Sequence, residues 1–152
     1  MRLYAAHSLT SYGTRYEARQ LARLHGHFPS AEVLNPAAMF SSNEDWLEHW
    51  PGLLEQLGAL AVFADQEGFI GGGVLLEVSG AIGAGLPVVA LGHDGQLCHF
   101  GGFARGAGLI APRSRLGRLL FGPPVSAGTV MAAMTARAAA PLGGASERCS
   151  CP

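Results

Sequence analysis

The chain of 152 residues contains no lysine, and its ten basic residues are all arginine. Six of these lie in residues 95–152 beside a single acid, a net charge of +5; four lie in residues 1–94 beside ten acids, a net charge of −6. The overall charge of −1 hides this asymmetry. The arginines of the second part are scattered among glycines, with few aromatics on which bases could stack, which argues against nucleic acid as a partner. Pairing of the basic part with the acidic part of a neighbouring copy is the simpler account. Cysteine is scarce: Cys98, Cys149 and Cys151, two of them in the last four residues. An odd, sparse count excludes a disulfide framework. No set of Cys and His has zinc spacing, so no metal is expected. No apolar run reaches the ~20 residues needed to span a bilayer. The opening MRLYAAHSLTSYG lacks the apolar stretch of a signal peptide. The expected location is therefore cytoplasmic, with no membrane partner.

What the chain does have is 49% apolar residues, enough for one packed core. Residues 1–140 are expected to form a single domain, and PLGGASERCSCP (141–152) a disordered tail. RLYAA (2–6) reads as a strand. Thr14 and Glu17 form a Thr-x-x-Glu capping box that opens a helix running to about His27. AEVLNP (31–36) is a second strand stopped by Asn-Pro. Ser41 and Glu44 form another box, and Trp46, Trp50, Leu53, Leu54 and Leu57 follow a helical stripe that reads as core. Pro51 predicts a kink there, or two short helices. ALAVFA (59–64) has the unbroken apolar character of a strand buried on both faces. DQEGFIGGG is a loop, VLLEVSGAIGAG (74–85) a helix ended by Gly85, and PVVAL (87–91) a fourth strand. This β-α-β-α-β-α-β order predicts an α/β fold: an open parallel sheet of four to five strands with helices on both faces, a Rossmann- or flavodoxin-like three-layer arrangement. Beyond it, Asp94-Gly95 marks a turn leading into a hairpin or fifth strand, residues 101–124 are too glycine-rich to assign, and 129–140 is a helix.

In open parallel sheets ligands bind beyond the carboxyl ends of the strands. His7, Ser8 and Tyr12 follow the first strand, Asn35 the second, and Asp65 and Glu67 the third. The turn Gly71-Gly72-Gly73 and then Glu77 follow on the third helix. The glycines either serve a sharp turn or let a ligand approach the backbone at a helix N-terminus. They form neither a Walker motif nor a dinucleotide fingerprint. Glu77 lies among Val74, Leu75, Leu76 and Val78, where an ionised carboxylate is costly unless compensated. It is either a satisfied structural acid or a carboxylate facing a pocket. Asp65 is either a loop-forming group or an acceptor for a hydroxyl. His7 is either a satisfied loop histidine or a phosphate or base contact, Tyr4 and Tyr12 are packing candidates, and Glu17 is explained by its capping box.

The segments RLYAAHS, EVLNP, LGALAVFAD and GGGVLLEVSGAIGAGLPVVAL resemble the nucleoside 2-deoxyribosyltransferase-like superfamily over residues 2–91. Its hallmark, loosely G-x-x-x-E-x-x-x-A-x-x-x-G-x-P-V, falls on Gly73, Glu77, Ala81, Gly85, Pro87 and Val88. The resemblance implies cleavage or transfer of the N-glycosidic bond of a nucleoside or nucleoside 5′-monophosphate, without cofactor. It implies Glu77 as the nucleophile on C1′ and Asp65 as the sugar or acid–base partner, two catalytic residues. It places Tyr4 beside the sugar, with His7, Ser8, Asn35, Gly71 and Gly73 lining the substrate pocket, and it implies a homodimer. Glycines 71–73 stand where transferases of the family carry a further aspartate, so an inactive nucleotide-binding or sensing module is the alternative expectation. GGGVLLE is also similar to the G-G-x-G-T-x-x-E motif of lysine-decarboxylase-like phosphoribohydrolases, with Val74 in place of threonine.

Overall fold

A computed structural model describes residues 1–105 and 115–139. The strands are β1 (Arg2–His7), β2 (Glu32–Leu34), β3 (Ala59–Phe63), β4 (Phe69–Ile70), β5 (Val88–Leu91), β6 (Leu97–Arg105) and β7 (Gly117–Pro124). The helices are α1 (Arg15–His27), α2 (Pro36–Met39), α3 (Asn43–Leu54), α4 (Gly72–Gly83) and α5 (Ala127–Ala139). All seven strands form one sheet in the order β2-β1-β3-β5-β6-β7-β4. The first four of that order are parallel, while β6, β7 and β4 extend the sheet through antiparallel pairings. The expected four to five parallel strands are thus corrected to a mixed sheet of seven. The cause is local: the loop after β3 doubles back as β4, and the glycine-rich stretch supplies two long strands.

Alternation along the strands builds two cores. Leu3 and Ala5 of β1, Ala59, Ala61 and Phe63 of β3, and Val89 and Leu91 of β5 face α1 and α5, meeting Tyr16, Leu24, Val130 and Met134. Tyr4 and Ala6, Leu60 and Val62, and Ala90 face the other way, against Trp46, Trp50 and Leu53 of α3 and Val74, Val78 and Ala81 of α4. All five residues of β3 are fully buried. That agrees with its unbroken apolar sequence, since a central parallel strand must be apolar on both sides.

Capping chemistry sets most element ends. Thr14 accepts the Glu17 N–H at 3.1 Å and opens α1. Gly85, at φ +67, closes α4: its N–H bonds Ile82 O, and the Leu86 N–H reaches Ala81 O, both at 2.9 Å. Asn35 caps α2, accepting the Ala37 N–H at 3.0 Å, so the Asn-Pro stop of β2 is also a helix start. α3 begins one residue later than the expected box, with Ser42 accepting from the Asp45 N–H at 3.1 Å. It runs unbroken through Pro51, neither divided nor ended there. Pro51 is exposed, so the carbonyl it deprives of a partner faces water. Asp94 and Gly95 form the expected turn, and β5 and β6 make a hairpin around it. The expected tail, residues 141–152, lies outside the described residues, as does the end of the helix expected at 129–140. Among the described residues no helix is long and apolar enough to cross a membrane.

The bulged β6–β7 pair depends on a missing side chain. A Cβ on Gly101 would sit 2.9 Å from both the backbone nitrogen of Gly122 and the carbonyl carbon of Phe121. Gly101→Ala is expected to destabilise the protein by about 1–3 kcal/mol through forced strand separation. Chemical denaturation against the unaltered chain measures it; an unchanged midpoint would refute the close approach.

Candidate functional site

Tyr4 and Glu77 meet because β1 directs alternate side chains to opposite faces. Tyr4 points toward α3 and α4, in register between Leu34 of β2 and Leu60 of β3. Glu77 occupies the second turn of α4 on its buried side, flanked by the core residues Val74, Val78 and Ala81. The Tyr4 hydroxyl donates to Glu77 Oε1 at 2.5 Å. Glu77 is only 5% exposed, and no ion pair reaches it among the described residues. Burial pushes its pKa up to about 8, against the opposing pull of the Tyr4 and Trp46 donors. Burial, then the charge of Glu77, holds the Tyr4 phenol far above its usual range, and the same two causes raise Tyr12.

The α4 N-terminus lies just before this carboxylate. Gly71 is the N-cap residue and offers no side-chain cap, so the first N–H groups of the helix are left without one. Gly71 is buried and Gly73 exposed, and the space where Gly73 would carry a Cβ is open. The three glycines keep side chains away from this helix end.

His7 and Asn35 belong to a different cluster. The position of His7, three residues after Tyr4 on β1, turns it to the opposite face, where its ring stacks on Phe63 at 4.5 Å. Nδ1 bonds the Ala5 carbonyl at 2.7 Å, which can only accept, and Nε2 lies 3.0 Å from Glu17 Oε1, so histidine and glutamate share a proton. Desolvation lowers the pKa of His7, and its bonds to Ala5 and Glu17 oppose that. Glu17 also accepts from Asn35 Nδ2 at 3.1 Å and from the Gly13 N–H. Glu17 is thus more than the capping acid expected: it ties the loops after β1 and β2 together. The signal in the sequence was an acid followed by apolar helical spacing, which a capping box explains equally well. Ser8 is buried and joins the end of β1 to β4 through a long contact of 3.5 Å with Phe69 O.

Of its two expected readings, Asp65 shows the loop-forming one. Oδ1 accepts from the N–H groups of Glu67 and Phe69, both at 2.9 Å, and shapes the loop into β4. Oδ2 is buried with no hydrogen-bond partner, 3.8 Å from Arg115 Nε. The guanidinium of Arg115 is itself committed to Glu67, at 2.7 and 2.8 Å, and Arg118 covers the Phe69 ring at 4.3 Å. The bonds of Asp65 therefore go to β4 and the loop before it, while that of Glu77 goes to β1. A cavity of about 440 Å³ opens elsewhere, between α2 and α3 beside Phe40, His49 and Gln56, and none of the expected site residues lines it.

Sequence reasoning assigned Trp46 only to the core. It is core, 8% exposed, but its buried indole N–H has no hydrogen-bond partner, and its influence lowers the pKa of both Tyr4 and Glu77 against the stronger effect of burial. Only its place on the same stripe as Trp50 was visible in the sequence. Among the described residues no group of three or more His, Cys, Asp or Glu is placed to hold a metal ion. Comparison with known proteins finds no matching family model, curated protein or solved structure.

The buried acid has a measurable signature. Its folded pKa of about 8 lies above the ordinary 4.5. Between these values the unfolded chain has released the proton and the folded chain still holds it. Stability is expected to fall as pH rises from about 5 to 8, by on the order of 1 kcal/mol per pH unit from this group. Urea unfolding over that range should show the decline, and Glu77→Gln should flatten it. An identical slope in both proteins would contradict the burial described here.

Proposed function

We propose that the protein cleaves, and can transfer, the N-glycosidic bond of a nucleoside or nucleoside 5′-monophosphate, with Glu77 as the nucleophile. The observation that supports this most is the buried carboxylate of α4, held by a tyrosine of β1 just behind an uncapped, glycine-lined helix N-terminus. In this reading an ionised Glu77 oxygen attacks C1′ as the bond to the base breaks, and the base leaves with the bonding electron pair and takes a proton from water. Water or a second base then takes the sugar and frees the carboxylate. Tyr4 orients the nucleophile. The buried, unpaired Oδ2 of Asp65 accepts a sugar hydroxyl, and the N–H groups after Gly71 face the negatively charged end of a nucleotide. His7 and Asn35 shape the pocket wall through Glu17, and Ser8 holds β1 against β4. This reading places the chain with the nucleoside 2-deoxyribosyltransferase-like superfamily.

The nucleophile must be ionised, and burial opposes that. Activity should therefore rise with pH and level off above about 8 as Glu77 loses its proton. Incubation with a panel of nucleosides and 5′-monophosphates, followed by chromatography, should show free base. Glu77→Gln should reduce its release by at least about a thousandfold. Undiminished release in that variant would overturn the role of Glu77. The same burial favours a second reading, a nucleotide-binding or sensing module in which the acid stays protonated. Ligand binding without base release, unchanged in Glu77→Gln, identifies that module.

A second copy of the chain is part of the proposal. The outward side of α4 carries Gly73, Leu76, Ser79, Ile82 and Gly83 and no charge, and Leu76 and Ile82 are 58% and 53% exposed. A helix apolar on all sides is normally covered. Light scattering should report a dimer, and Leu76→Glu should return it to a monomer; a monomeric parent chain would remove this element of the proposal.

A further inference from the structure

Among the described residues three buried side-chain polar groups lack a hydrogen-bond partner, Ser11 Oγ, Asp65 Oδ2 and the Trp46 indole N–H, and the last lies on the Glu77 side of the sheet. Its N–H is sealed from solvent without a hydrogen-bond partner. Leaving a buried donor unpaired is costly, and such groups in folded proteins call for an explanation. The surroundings supply one. Trp46 stacks on Trp50 with ring centroids 6.1 Å apart, Trp50 packs on Tyr4 at 5.0 Å, and both indoles share a core cluster with Tyr4 and with Val74 and Val78, the buried neighbours of Glu77 on α4. Two donors, one from β1 and one from α3, thus flank a single carboxyl group. Tyr4 already occupies Oε1. No described group bonds Oε2.

We propose that Trp46 is a positioning residue for Glu77, its indole N–H closing onto the carboxylate when Glu77 ionises. To the neutral acid Tyr4 donates one hydrogen bond, at Oε1. The anion accepts several hydrogen bonds and, in an apolar site, requires them. Ionisation therefore draws the idle donor in, and Trp46 and Tyr4 together hold the carboxylate in one orientation. The other titratable groups facing Glu77 are Tyr4 on β1 and Tyr12 in the loop behind it; burial raises the pKa of both phenols, so neither changes charge as Glu77 titrates. The role in catalysis rests on the nucleophile reading above, but the hydrogen bond does not, and it is measured without a substrate.

The test is an NMR titration of the full chain from pH 5 to 10. Glutamate carboxyl carbons report Glu77, identified with Glu77→Gln, and the two indole N–H signals are separated with Trp50→Phe. The Trp46 indole proton should move downfield with the same midpoint as Glu77, and its exchange with solvent should slow about tenfold across the transition. In Trp46→Phe the Glu77 midpoint should rise by about one pH unit, because the anion has lost a donor. An indole signal and exchange rate that stay constant while Glu77 titrates would overturn the proposal, and the unaltered protein alone suffices to show it. An unmoved Glu77 midpoint in a folded Trp46→Phe would do the same. Failure to find base release would leave these titrations intact and would strike the nucleophile reading instead.

Discussion

Placing one carboxyl group in an apolar interface is the constraint around which this structure is arranged. A charge buried without partners would cost several kcal/mol, so the helix that carries Glu77 must dock where a donor already waits. That donor is on β1, whose residues Leu3 to Ala6 are fully buried and whose register is set on both sides by parallel neighbours. Tyr4 cannot drift, because Leu34 and Leu60 flank it across the ladder. The position of α4 and the protonation of its acid are thus tied to a fully buried stretch of the sheet.

The same strand separates two polar systems. Residues of one parity on β1 face α4 and serve the Tyr4–Glu77 pair. The other parity carries His7 to the α1 side, where Glu17 gathers it with Asn35 and the Gly13 backbone. One system holds a buried acid between neutral donors. The other fastens two loops through a shared proton, its histidine bonded at both ring nitrogens and its glutamate at both oxygens. Chemistry is more readily ascribed to the first, and support of the surrounding walls to the second.

The nucleophile reading and the sensor reading differ in one physical quantity, the fraction of Glu77 that is ionised. Desolvation favours the neutral acid, while hydrogen-bond donors and a helix N-terminus favour the anion. In the absence of bound substrate the first influence prevails. A ligand that brings positive character to C1′ adds to the second, and the idle Trp46 donor acts in the same direction.

Much of this was legible in the chain. The parallel half of the sheet could be read from continuous apolar runs such as ALAVF, because a strand covered on both faces tolerates nothing else, and the ends of α1 and α4 followed from Thr14 and Gly85 through local hydrogen bonding. Glu77 stood out as an acid in an apolar helix. The antiparallel extension was not legible: β6 and β7 are rich in glycine, and their pairing depends on backbone approach, which leaves little periodic trace. The sequence by itself determined the apolar runs that become the parallel strands and the ends of α1 and α4, since composition and capping are local. Only the tertiary structure decided that Tyr4 and Trp46 flank Glu77 while His7 and Asn35 turn to Glu17. Those choices follow from strand parity and register between segments as many as 73 residues apart, and no local pattern encodes them.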